Sequence, residues 1–138
     1  MTDELRPRRS TLYMPGANDK ALEKAKTLPT DAIIFDTEDS VAPDMKSVAR
    51  DKVAEAVGSG AYGRRELTIR VNSIETEWHE ADVRSAAAAG PSGVVVPKIN
   101  SAADVASVER LLETCLAVAK GQMVFPFLDV RSLRQDPI

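Results

Sequence analysis

Apolar residues in this chain recur in two alternating rhythms: short continuous runs, and longer stretches at helical spacing. Thr11, Leu12, Tyr13 and Met14 form a β-type run stopped by Pro15 and Gly16. Asn18 then suits a helix N-cap, with Ala21, Leu22 and Ala25 on one face and Pro29 as the stop. Ala32, Ile33, Ile34 and Phe35 are continuously apolar, as in a strand covered on both faces. A helix is expected from Pro43 and Asp44, with Met45, Val48, Ala49, Val53, Ala56 and Val57 at helical spacing and Gly58 and Gly60 as breakers.

The same alternation continues. Residues 67–71 read as a third strand and Val94 to Val96 as a fourth. A helix from about Glu77 to Ala89 lies between them and ends at Gly90 and Pro91. Ser101 and Asp104 resemble a capping box before a helix whose apolar face carries Val105, Val108, Leu111, Leu112, Cys115 and Leu116, with Gly121 as a natural C-cap. A fifth strand is expected to begin at Met123. The tail from Leu128 to Ile138 has no period and is expected to be loose. Strands alternating with helices imply an α/β protein with a parallel sheet and right-handed crossovers: four βα units plus the start of a fifth.

Composition narrows the function classes. A length of 138 residues fits one domain, able to bury roughly two-thirds of the surface its unfolded chain exposes. With 43% hydrophobic residues and a net charge of -3, the chain is not of the disordered type, and its mild acidity argues against nucleic-acid binding. No apolar run approaches the roughly 20 residues that cross a bilayer, so no membrane role is expected. Arg6, Arg8 and Arg9 lack the apolar segment that would make a signal peptide. The single cysteine, Cys115, excludes an internal disulfide and a Cys-based zinc site. A soluble cytoplasmic protein is the expectation.

Polar residues collect after the strands, where parallel α/β folds gather their chemistry. Pro15 and Gly16 follow the first strand; Asp36, Glu38 and Asp39 follow the second; Arg70 and Asn72 end the third; Lys98 follows the fourth. The three carboxylates suit a divalent cation, its waters or an arginine, and equally a solvated loop or a helix-capping cluster. Arg70, between Ile69 and Val71, needs a partner if buried. That partner can be a carboxylate of the neighbouring strand, or Arg70 can offer its planar fork to an anionic substrate. Lys98 can bind an anion or lie in solvent. His79 and Trp78 read as packing residues, and Cys115 as core. Glycine-rich nucleotide loops, a serine-nucleophile elbow and a zinc-protease helix motif are absent.

Four segments in order resemble the citrate lyase β-subunit family within the HpcH/HpaI aldolase and malyl-CoA lyase superfamily. They are residues 9–16 (Arg9 to Gly16), residues 34–43 (Ile34 to Pro43) with Lys46, Ala49 and Arg50, residues 69–72 with Thr76 and Trp78, and residues 94–98 ending in Lys98. The resemblance covers about residues 8–125. It implies the N-terminal half of a TIM-type (β/α)8 barrel over residues 1–125, followed by an unstructured or unrelated tail over 126–138, as a truncation or frame change would leave.

The activity implied is magnesium-dependent aldol- or Claisen-type carbon–carbon cleavage. A hydroxyacyl thioester of coenzyme A or an acyl-carrier protein, such as a citryl or malyl thioester, would yield a 2-oxo acid and an acyl thioester. By the same resemblance, Arg70 would bind the substrate carboxylate and oxo group, with Asp36 in support and Lys98 lining the site. Glu38 and Asp39 would act near the metal through its waters. Arg9, Pro15 and Gly16 would lie near the coenzyme A entrance. The family's fifth-strand glutamate is missing from residues 123–127, Asp129 does not match the pattern, and the second half of the barrel is absent, so no direct metal ligand is expected. An impaired half-enzyme is therefore expected, its open edges covered by another copy or a partner. The competing readings are a non-catalytic half-barrel binding or assembly module, and an unrelated open α/β domain for a small anion.

Overall fold

A computed structural model of the chain describes residues 6–116 and 125–128. Five parallel strands lie in sequence order: β1 (Thr11–Pro15), β2 (Ala32–Asp36), β3 (Glu66–Arg70), β4 (Gly93–Val96) and β5 (Phe125–Leu128). Four helices alternate with them: α1 (Asp19–Ala25), α2 (Lys46–Gly58), α3 (His79–Ala89) and α4 (Ala102–Leu116). A strand order of 1-2-3-4-5 with a helix in each crossover is the order of a (β/α)8 barrel segment. The described residues form half of such a barrel.

Local chemistry accounts for the element ends. Asn18 caps α1 by accepting from the Ala21 N–H at 3.0 Å. The helix stops at Ala25, four residues before Pro29, in a last turn where Lys26 and Thr27 N–H groups donate to Glu23 and Lys24 carbonyls. A 3-10 turn at Pro43–Met45 leads into α2. Gly90 takes the left-handed conformation (φ 77°) that closes α3. Ser101 Oγ accepts from the Asp104 N–H, but the short Asp104 side chain returns to Asn100 N–H, so the capping box closes one residue early. Among the described residues β5 runs from Phe125 to Leu128, so residues 126–128, assigned to the tail, pair with β4. Pro126 sits in that outermost strand, where a missing N–H is tolerated. Met123, Gly121 and the remainder of the tail, Asp129 included, lie outside the described residues.

The two faces of the sheet differ sharply. Ile33, Phe35, Ile69, Val71, Val94 and Val96 pack against Leu22, Val53, Val83 and Val108 of the helices. Tyr62, from the loop after α2, joins this core edge-on to Phe35, at 5.2 Å between ring centroids, and donates its hydroxyl to the Leu22 carbonyl. Strand alternation turns the other residues to the barrel interior: Tyr13, Ile34, Thr68 and Gly93 in one row, Pro15, Asp36, Arg70 and Val95 in the next. Beneath them, Arg8 forks onto the buried Glu66, and Arg9 onto Asp31. Among the described residues β1 and β5 are the sheet edges, and Leu12 and Tyr13 on β1 are exposed.

Gly16 sets the entry to α1. Its N–H donates to the Asp36 carbonyl at 2.8 Å, and a Cβ there would lie 2.6 Å from that oxygen and 2.7 Å from Val53 Cγ2. Both neighbours are fixed, one by the backbone and one by the core. Gly16→Ala is expected to lower stability by about 1–3 kcal/mol, read as a lower urea midpoint. Gly58→Ala, in α2 with nothing within 4 Å, should leave the midpoint unchanged or raise it slightly and serves as the control.

Candidate functional site

The third strand delivers Arg70 to the interior in direct register with Asp36 of the second. Both are almost wholly buried, at 3% and 2% exposure. Arg70 Nε donates to Asp36 Oδ1 and Nη2 to Oδ2, each at 2.9 Å, a two-pronged pair. Asp36 also accepts the Glu38 N–H at 2.8 Å on Oδ1 and the Ser40 N–H at 3.0 Å on Oδ2. Four donors therefore converge on one carboxylate, which also organises the turn after β2. Burial alone would raise the Asp36 pKa; the Arg70 and turn hydrogen bonds outweigh it, and the net shift is downward. Burial likewise opposes the Arg70 charge, and the hydrogen bond and attraction of Asp36 outweigh it, so its pKa rises.

Glu38 is a different case. It is buried, with Oε1 3.5 Å from Arg70 Nε and Oε2 3.9 Å from Lys98 Nζ. Desolvation lifts its pKa; Arg70 pulls it down, while Asp39 and Asp36 push it up. Lys98 itself is exposed and holds a left-handed backbone (φ 57°) two residues past the end of β4, a conformation that costs energy in a non-glycine residue. That bend carries its side chain over the strand end towards Glu38. The Tyr13 ring lies 4.7 Å from the Arg70 guanidinium carbon, stacked on its face. Tyr13, Pro15, Asp36, Asp39, Ser40 and Arg70 line a cavity of about 370 Å3 at this end of the sheet.

A second buried network braces the first. Asp82, from the inner face of α3, accepts Arg50 Nε at 2.8 Å, Asn72 Nδ2 at 2.7 Å and the Asn72 N–H at 3.0 Å. Asn72 Nδ2 also reaches the Thr37 carbonyl, and His79 Nδ1 lies 2.8 Å from the Asn72 carbonyl. His79 is thus a buried anchor of the loop after β3. Lys46 closes the set from the start of α2, donating to the Thr37 and Glu38 carbonyls with the Trp78 ring 5.4 Å away.

Most of the expected site residues come together: Asp36, Glu38, Arg70 and Lys98 in one cluster, with Asp39 and Pro15 on the cavity wall and Gly16 beside the Asp36 carbonyl. Arg9 does not. It precedes β1, so the length of the strand separates it from Pro15, and it is fixed to Asp31 at the opposite end of the sheet. The expectation that Arg9 joins Pro15 and Gly16 at an entrance is corrected by that polarity. Asp82, Arg50 and Tyr13 were not expected in the site. A signal existed for Asp82: it falls on the helical stripe of His79, Val83 and Ala86, where a carboxylate needs a buried partner.

The donor set does not make an inner coordination sphere for magnesium. Asp36 is saturated by Arg70 and two N–H groups, the two Glu38 oxygens face cations, and among the described residues no three His, Cys, Asp or Glu side chains converge on a metal position.

A parallel half-barrel with an arginine–carboxylate cluster at its strand ends defines an α/β protein of the (β/α)8-barrel architecture. Residues 9–121 match the HpcH/HpaI aldolase/citrate lyase family, to which this chain belongs. A (3S)-malyl-CoA thioesterase of Cereibacter sphaeroides is 45% identical over 112 residues, 81% of this chain and 39% of its own. An L-malyl-CoA/beta-methylmalyl-CoA lyase of the same species is 38% identical over 120 residues, 85% of this chain and 37% of its own. The chain thus spans about two fifths of the length of the curated relatives it matches. Among solved structures, a citrate lyase from Burkholderia xenovorans superposes with a TM-score of 0.76 at 21% identity, over 91% of this chain and 42% of that one. The citrate lyase beta subunit of M. tuberculosis, complexed with oxaloacetate and magnesium, gives 0.62 at 23% identity, over 88% and 48%. At these identities the superpositions speak for the fold.

The two buried carboxylates carry opposite pH dependence. Asp36, with its pKa lowered, contributes stability above its unfolded pKa and loses it as pH falls through the folded value. Glu38, with its pKa raised, contributes below its unfolded pKa and loses that contribution as pH rises through the folded value. Asp36→Asn should lower stability near neutral pH and flatten its decline in acid, whereas Glu38→Gln should raise stability at neutral pH. Urea midpoints measured from pH 3 to 8 check both signs.

Proposed function

We propose that this chain carries the oxo-acid half of a site that cleaves a hydroxyacyl coenzyme A thioester of the malyl or citryl kind. The observation that carries the reading is the buried Arg70 guanidinium, fixed by its two bonds to Asp36 in the wall of the cavity at the strand ends. Cleavage breaks the bond between the carbinol carbon and the thioester α-carbon. The hydroxyl loses its proton as the carbinol becomes the carbonyl of a 2-oxo acid, and the electron pair passes to the thioester enolate, which then takes a proton. Arg70 binds the carboxylate and the oxygen on which charge moves, a task for preorganised donors. Lys98 adds a second cation at the rim. Glu38, whose burial favours its protonated form, is the group beside Arg70 suited to holding a proton. Asp39 and Pro15 face the arriving substrate.

Magnesium belongs to the reading only as a hydrated ion near Glu38 and Asp39, since the described residues supply no inner sphere. The solved relative complexed with oxaloacetate and magnesium supports the ligand class. The edges that β1 and β5 present among the described residues suit cover by a second copy or a partner chain, in a soluble cytoplasmic setting. Hydrolysis of the thioester is the second reading, supported by the relative at 45% identity that is named a malyl-CoA thioesterase.

Product analysis with malyl-CoA separates the readings. Carbon–carbon cleavage yields glyoxylate and acetyl-CoA; hydrolysis yields malate and free coenzyme A. Binding without turnover would mark a non-catalytic half-barrel module. Calorimetry with oxaloacetate should show binding by the wild-type chain that weakens about tenfold or more in Arg70→Lys, which keeps the charge but loses the fork. Equal affinity of the two proteins would sink the assignment of Arg70. Adding magnesium should tighten binding in the wild type and not in a Glu38→Gln, Asp39→Asn double variant.

A further inference from the structure

Lys46 is a buried ionisable group that the reaction just described leaves without a task. It is 6% exposed at the first position of α2. Burial pushes its pKa down against the pull of Asp36, Glu38, Asp82 and Asp39. A lysine in such a place costs stability unless its donors are used. Two of them are: Nζ donates to the Thr37 carbonyl at 3.2 Å and to the Glu38 carbonyl at 2.5 Å. The Trp78 ring stands 5.4 Å from the same nitrogen.

These contacts sort the polar backbone of the β2–α2 turn onto two sides. The N–H groups of Glu38 and Ser40 point to the Asp36 carboxylate, while the carbonyls of Thr37 and Glu38 point to the Lys46 ammonium. Asn72 supplies a second donor to Thr37. The peptide between Thr37 and Glu38 is therefore gripped from both sides, a carboxylate on its N–H and an ammonium on the carbonyl before it. Rotation of that peptide would swing the Glu38 side chain away from Arg70 and Lys98.

We infer that Lys46 is a positioning residue: its ammonium clamps the Thr37 and Glu38 carbonyls and so holds Glu38 and the Asp36-bound turn in the geometry that receives an oxo acid at Arg70. The inference rests on the proposed oxo-acid site for its functional half, and on the turn itself for the other. Lys46 touches no substrate in this account; it acts through the peptide it holds.

The test compares wild type, Lys46→Met and Lys46→Arg by amide hydrogen exchange and by calorimetry with oxaloacetate. Lys46→Met should speed exchange of the Glu38 and Ser40 amides by about tenfold or more while leaving the sheet amides of Val94 and Val95 within about twofold. Its affinity for oxaloacetate should fall about tenfold, and Lys46→Arg should recover part of both losses. Unchanged protection at Glu38 and Ser40 overturns the clamp. Equal loss at every amide also overturns it, because Lys46 would then serve the fold alone. Faster turn exchange with wild-type affinity overturns the link to the site. If wild type itself binds no oxaloacetate, the oxo-acid reading fails, and the exchange pattern alone decides whether the clamp exists.

Discussion

The ion pair between Arg70 and Asp36 is the constraint on which this end of the molecule depends. Two opposite charges stand at the same register on adjacent parallel strands, both shielded from water. Neither is tolerable there alone, because an unpaired buried charge costs several kcal/mol even after relaxation (on the order of 3–5 when one partner is removed). Two-point geometry lets Asp36 hold Arg70 rigidly while its remaining acceptor capacity draws in the N–H groups of Glu38 and Ser40. One carboxylate thus orients a cation and shapes a turn at the same time.

The surrounding residues extend that logic outward. Thr37 donates its N–H and hydroxyl to the Arg70 carbonyl, tying the turn after β2 to the end of β3. Asn72 and Asp82 carry the linkage to α3 and, through Arg50, back to α2. Each buried polar group in this chain of contacts satisfies the next, which keeps polar side chains affordable below a mostly apolar sheet. Glu38 is less fully satisfied, and the cations facing it lie at 3.5 and 3.9 Å rather than in close hydrogen bonds. Burial there favours the protonated carboxyl, whereas the partners of Asp36 favour its ionised form. Two acidic side chains two residues apart are thus driven in opposite directions by their partners.

Much of the fold could be read from periodicity, because each apolar run and each helical stripe is bounded by a residue with a local reason to stop. Asn18, Gly90 and the pairing of Ser101 with Asp104 mark ends by their own hydrogen bonding or backbone freedom. The strand at residues 126–128 was harder to read, since a proline stands inside that apolar run and they were assigned to the tail. Arg70, Asp36, Glu38 and Lys98 were recognisable as candidates because charges directly after apolar strands are costly unless used. Arg9 misled because nearness in sequence to Pro15 and Gly16 conceals the strand between them, which carries the two ends to opposite sides of the sheet.

By itself, then, the sequence determined the alternation of strands and helices, the polarity of the sheet and the set of charged groups at the strand ends. These follow from spacing and from the cost of burying charge, both local properties. Only the tertiary structure decided which charge meets which. Register puts Asp36 opposite Arg70, the left-handed bend at Lys98 turns its ammonium towards Glu38, and the packing of α2 and α3 brings Lys46, Arg50 and Asp82 beneath the turn. Those pairings join residues 8 to 60 positions apart, and no pattern along the chain encodes a distance between groups that meet only when the sheet curls.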